Sequence, residues 1–173
     1  MQRSFASLSP REALHVAIFI EERNAELYRQ SAEMFTEFSD SESLEIAGVF
    51  QEMVAEEKDH SSKLQGLYLE RFGTANCALT EEDLVELIEV PRLEEVDFFL
   101  APGEKKISAR HRALQVALNA ERSAQKYYAD LMEKTEPGPL RMLYRELAEM
   151  EDGHVASLEK RMAARSANKA GGE

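Results

Sequence analysis

Residues 46–64, IAGVFQEMVAEEKDHSSKL, and residues 140–158, LRMLYRELAEMEDGHVASL, decide the fold when they are set side by side. In the first, Ile46, Val49, Phe50, Met53 and Leu64 recur at the spacing of one helix face. In the second, Leu140, Leu143, Tyr144, Leu147 and Leu158 do the same. Aligned without a gap, the two share Glu52/Glu146, Glu57/Glu151, His60/His154 and Leu64/Leu158. Glu57 and His60 fall inside the first apolar stripe, and Glu151 and His154 inside the second. A carboxylate and an imidazole three residues apart project from the same helix face.

The repeat extends to the helix before each stretch. Residues 13–33 laid on 113–133 coincide at Ala13/Ala113, Leu14/Leu114, Val16/Val116, Ala17/Ala117, Glu21/Glu121, Tyr28/Tyr128 and Glu33/Glu133. Residues 14, 17, 18, 21, 24, 28, 32 and 35 share one face, so Glu21 interrupts a buried stripe, and Glu121 does so between Leu118 and Tyr128. Glu22 is a rival for Glu21; the repeat and the seven-residue step to Tyr28 favour Glu21. Four helices would aim Glu21, Glu57, Glu121, Glu151, His60 and His154 at one level of the core.

Punctuation sets the boundaries. Ser9-Pro10-Arg11-Glu12 starts the first helix with a capping box, and Ser39-Asp40-Ser41 ends it. The second spans 43–72 and stops at Gly73. A connection over 73–107 holds a short helix, capped at Thr80-Glu81-Glu82-Asp83 and closed by Pro91, and a turn at Ala101-Pro102-Gly103. The third spans 108–134, Pro137-Gly138-Pro139 turns the chain, and the fourth runs to 165. The expectation is one all-α domain over 1–165, a four-helix bundle with a long crossover connection between helices 2 and 3. Residues 166–173 read as a disordered tail.

Four clustered carboxylates repel each other in an apolar core, and no Lys or Arg lies on these stripes near that level. Two divalent metal ions would balance four Glu charges. Oxygen donors with some imidazole suit iron or manganese. A lone Glu on a stripe ordinarily reaches water from its edge; two matched copies of Glu-x-x-His beside a Glu-bearing helix are far more specific. Tyr28 and Tyr128 read either as hydrogen-bond partners of the bridging carboxylates or as core tyrosines with one wet end. His15 and His111 have no carboxylate in register. Gly153, beside His154, admits a neighbouring helix or a ligand.

Composition agrees with this reading. The chain has 173 residues, and 33 acids against 21 bases give a net charge of −12, which repels phosphate backbones and speaks against nucleic acid. No apolar run approaches the ~20 residues of a membrane span, and the first residues lack a signal-peptide core. The lone Cys77 excludes an internal disulfide and fits a reducing cytoplasm.

These residues resemble the ferritin-like superfamily and, within it, the rubrerythrin-related proteins, over about 10–72 and 108–160. Glu21 with Tyr28, Phe50 with Glu57-x-x-His60, Glu121 with Tyr128, and Glu151-x-x-His154 carry the resemblance. It implies two iron ions, with manganese or zinc as substitutes. Glu21 and Glu121 would be terminal ligands, Glu57 and Glu151 would bridge, and His60 and His154 would cap one metal each. It also implies an oxidative-stress oxidoreductase that reduces hydrogen peroxide or dioxygen, or oxidises Fe(II). An external electron donor and a homodimer are expected with it. The alternatives are ferritin-like iron storage and a metal-stabilised scaffold. Two departures stand out. The two Cys-x-x-Cys pairs of a rubredoxin module are absent. The extra Glu that rubrerythrins carry one turn after the third-helix ligand is Ala124 here, and Asn24 holds the matching first-helix position.

Overall fold

The computed structural model describes residues 8–74, 79–80, 83–84 and 106–170, without the side chains of 106–109 and 164–170. It contains the four long helices expected: α1 (Pro10–Phe38), α2 (Ser41–Phe72), α3 (Lys106–Lys134) and α4 (Pro139–Ala170). The described residues include no strand. The chain divides into two compact units, Met1–Val90 and Pro91–Glu173. The first holds the α1–α2 hairpin and the second the α3–α4 hairpin.

The α1 start is the expected capping box. Ser9 Oγ accepts from the Glu12 amide at 3.3 Å, and a Glu12 carboxylate oxygen accepts from the Ser9 amide at 2.9 Å. Ser39 closes α1 in the left-handed conformation at φ 56°. Asp40 caps α2 at once by accepting from the Ser43 amide at 3.0 Å. Two residues therefore suffice to reverse the chain, which makes α1 and α2 antiparallel neighbours. Gly73, at φ 66°, ends α2 and donates its amide hydrogen to the Leu69 carbonyl.

In the first hairpin Leu14, Ala17, Tyr28 and Phe35 of α1 are buried, as are Ile46, Phe50, Met53 and Leu64 of α2. Phe50 lies between two rings, 5.9 Å from Tyr28 and 6.0 Å from Phe35. In the second hairpin Leu114, Ala117, Leu118 and Tyr128 are buried on α3, and Leu140, Tyr144, Leu147 and Leu158 on α4. Tyr144 replaces Phe50 in the repeat and stacks on Tyr128 at 6.4 Å. Each stack lies two turns from its hairpin's Glu, so it fixes the register in which that Glu meets the facing helix.

The fourth helix runs five residues past the expected end at 165, to Ala170. Nothing in Ser166-Ala167-Asn168-Lys169-Ala170 breaks a helix, and Ala and Lys are strong helix formers; the first stop signal is Gly171-Gly172. The expected disordered tail is thus helical over 166–170, and 171–173 lie outside the described residues. Thr80 and Asp83 form the expected cap, each side chain accepting from the other's amide. The rest of the short helix, Pro91 and the Ala101-Pro102-Gly103 turn lie outside the described residues. No helix among them is long and apolar enough to cross a membrane.

Candidate metal centre

Each hairpin buries one triad of two carboxylates and an imidazole. In the first, Glu21 and Glu57 are 0% exposed and His60 is 1% exposed. His60 Nδ1 lies 3.0 Å from a Glu21 oxygen and 3.7 Å from a Glu57 oxygen. One ligand atom from each of the three lies within 4.8 Å of the other two. The geometry follows from α2, where three residues bring Glu57 and His60 onto one face, and from α1, whose stripe turns Glu21 inward.

The second hairpin repeats the arrangement. Glu121 and Glu151 are 0% exposed, and the His154 side chain is 13% exposed. His154 Nδ1 stands 3.2 Å from an oxygen of each carboxylate. Ligand atoms of Glu121, Glu151 and His154 again lie within 4.8 Å of one another. Burial alone would lower the imidazole pKa. Hydrogen bonds to Glu121 and Glu151, with their charges, outweigh it and raise His154 to about 11.

The donor chemistry fits a divalent ion. Two carboxylates balance one M²⁺ within each triad, and a neutral imidazole adds a nitrogen donor, the mix that suits iron, manganese or zinc. An ion with bonds of about 2.0–2.2 Å spans donors spread this far after small side-chain adjustments. Burial excludes competing water and strengthens the attraction.

Six of the eight residues singled out from the sequence therefore fall into two triads. Glu22, the rival to Glu21, is exposed and accepts from Gln65 Nε2 at 2.8 Å, away from the triad. Tyr28 and Tyr128 are fully buried in their aromatic stacks, so neither keeps a wet end. His15 is half-buried beside Tyr68, 6.1 Å between rings, where burial lowers its pKa against the opposing pull of Glu22. His111 is exposed. Gly153 is exposed too, and a Cβ there would meet nothing within 4 Å among the described residues.

The sequence reading missed an open cleft of about 420 Å³ between α1 and α2, lined by Glu22, Glu26, Arg29, Lys58 and Ser61 and reaching Glu57. Small residues make the room: Ala25, Ser61 and Ser62 sit where the two helices would otherwise close. Ala25 lies four residues after Glu21, and Ser61 and Ser62 four and five after Glu57. Small side chains at that spacing were the available signal.

The rubrerythrin family model matches residues 112–171, the stretch that carries Glu121, Glu151 and His154. No curated protein sequence matches significantly. Among solved structures, a hypothetical protein from Pyrococcus furiosus is similar across nearly the whole chain. It is 26% identical with a TM-score of 0.67, over 91% of this chain and 90% of that one. That likeness carries the fold class, an all-α four-helix bundle, through both hairpins. The family match on α3 and α4, and the same triad buried in each hairpin, make the chain similar to rubrerythrin-related proteins of the ferritin-like kind.

Proposed function

We propose that the chain is a di-iron carboxylate oxidoreductase of the rubrerythrin-like type, acting on hydrogen peroxide, dioxygen or Fe(II). The observation that supports this most is the recurrence of one buried Glu, Glu, His triad at matching positions of both hairpins. A structural accident would have no reason to place it twice. One ion would be held by Glu21, Glu57 and His60, and the other by Glu121, Glu151 and His154. The family match supports the second triad and the internal repeat supports the first.

When bound, the irons supply the electrons that an oxidant takes up. The chain's own residues do the rest. Four carboxylates hold charge in a dry core, where it is felt strongly. His154 holds a proton at Nδ1 between Glu121 and Glu151 and must give it up before it can serve as a ligand. The α1–α2 cleft gives small molecules a path towards Glu57. The reading includes an external electron donor, a cytoplasmic location and a homodimer.

Stopped-flow mixing of the Fe(II)-loaded protein with peroxide and with dioxygen tests the proposal. Oxidation of the centre faster than of free Fe(II) supports it. An inert, fully loaded protein would leave only a structural role for the metal. A hollow multi-subunit particle on a sizing column would favour iron storage over turnover.

A further inference from the structure

Asn24 sits one turn beyond Glu21 on the buried stripe of α1 and is 1% exposed. Its Nδ2 has no hydrogen-bond partner among the described residues. A buried amide donor left without an acceptor is costly, and such groups are rare unless a ligand or water completes them. The matching residue of the other hairpin is Ala124, which is buried as well. A methyl group therefore satisfies the packing of this stripe, and packing alone does not explain an amide at position 24.

Helical side chains lean toward the helix N-terminus. The Asn24 amide accordingly leans over the turn that carries Glu21, on the face that Glu21 and Tyr28 share. An N–H donor cannot ligate a cation, but it suits a small anion or an oxygen-containing molecule at the triad. The cleft that reaches Glu57 opens on the same hairpin.

We infer that Asn24 is a positioning residue for the small oxygen-containing ligand of the centre. It donates a hydrogen bond from Nδ2 and makes the first triad, rather than the second with Ala124, the half that holds the ligand. This inference rests on the two-metal reading above. It adds an asymmetry that the repeat does not suggest.

Azide is the probe, titrated into the iron-loaded wild-type protein and into Asn24→Ala, with metal content measured on both. The expected result is equal metal content and azide affinity weaker by about five- to tenfold in the variant, the effect of one lost hydrogen bond. Melting of the metal-free proteins supplies a second readout. Asn24→Leu keeps the volume and removes the unpaired donor, so it should melt no lower than wild type. Equal azide affinity with full metal in Asn24→Ala overturns the inference alone. Loss of metal from that variant also overturns it, because the amide oxygen would then be a ligand. A lower melting temperature for metal-free Asn24→Leu overturns it by showing that the amide has a structural partner. A wild-type protein that takes up no metal overturns the two-metal reading and this inference with it.

Discussion

Replacing Glu57 with Gln should move two properties in opposite directions. The substitution keeps shape and removes one charge from a triad in which Glu21 and Glu57 are both fully buried, with ligand atoms within 4.8 Å of each other. Two full charges at that separation repel by about 3.5 kcal/mol at an effective dielectric constant near 20. The nearby His60 imidazole relieves part of this. The metal-free variant should therefore gain ~1–2 kcal/mol, or ~2–8 °C in melting temperature for a chain of this length. Metal retention should fall by a factor of ~100 or more, since an ion in the triad then faces one carboxylate instead of two. Thermal melts in chelator give the first number, and elemental analysis after dialysis against a weak competitor gives the second. A Gln variant that melts lower than wild type without metal, yet retains it fully, would refute the reasoning. It would mean that Glu57 is held by a structural partner and not poised for a cation.

Glu22→Ala should leave metal content unchanged while Glu21→Ala removes it, because Glu22 faces Gln65 and Glu21 faces His60; equal loss in both would place the ligand wrongly. The metal-free protein should lose stability as pH rises from neutral. The His154 pKa of about 11 in the folded chain lies above its unfolded value of 6.5, so the contribution is full below 6.5 and disappears as pH climbs through 11. Denaturant melts across that window should slope downward for wild type and flatten in His154→Gln. Gly153→Ala should stabilise the protein by about 1 kcal/mol, since the site is helical, exposed and open around Cβ; a loss in denaturant melts would show a need for glycine there.

Much of this architecture was readable from residue spacing. The stripe that turns Glu21 inward and Glu22 outward is a simple consequence of 3.6 residues per turn. The Ser9 and Asp40 caps follow from side chains that can accept a backbone hydrogen bond. What spacing could not resolve were properties set by packing around a residue. Position 24 could be placed on the stripe, but whether its amide meets an acceptor depends on atoms of other turns. His60 and His154 are equivalent in the repeat, yet one is sealed and the other 13% exposed, a difference that comes from their neighbours. The α4 terminus was missed because a shift to small polar residues at Ser166 resembled a tail, although the absence of Gly and Pro lets the helix continue to Ala170.

The central claim is that two metal ions belong to this chain, one for each buried triad. Elemental analysis of the native protein, followed by anaerobic reconstitution with Fe(II) and a second count, measures it directly. The account predicts two ions per chain, reduced to at most one when Glu151 is replaced with Ala. A wild-type chain that holds no metal after Fe(II) loading would contradict it.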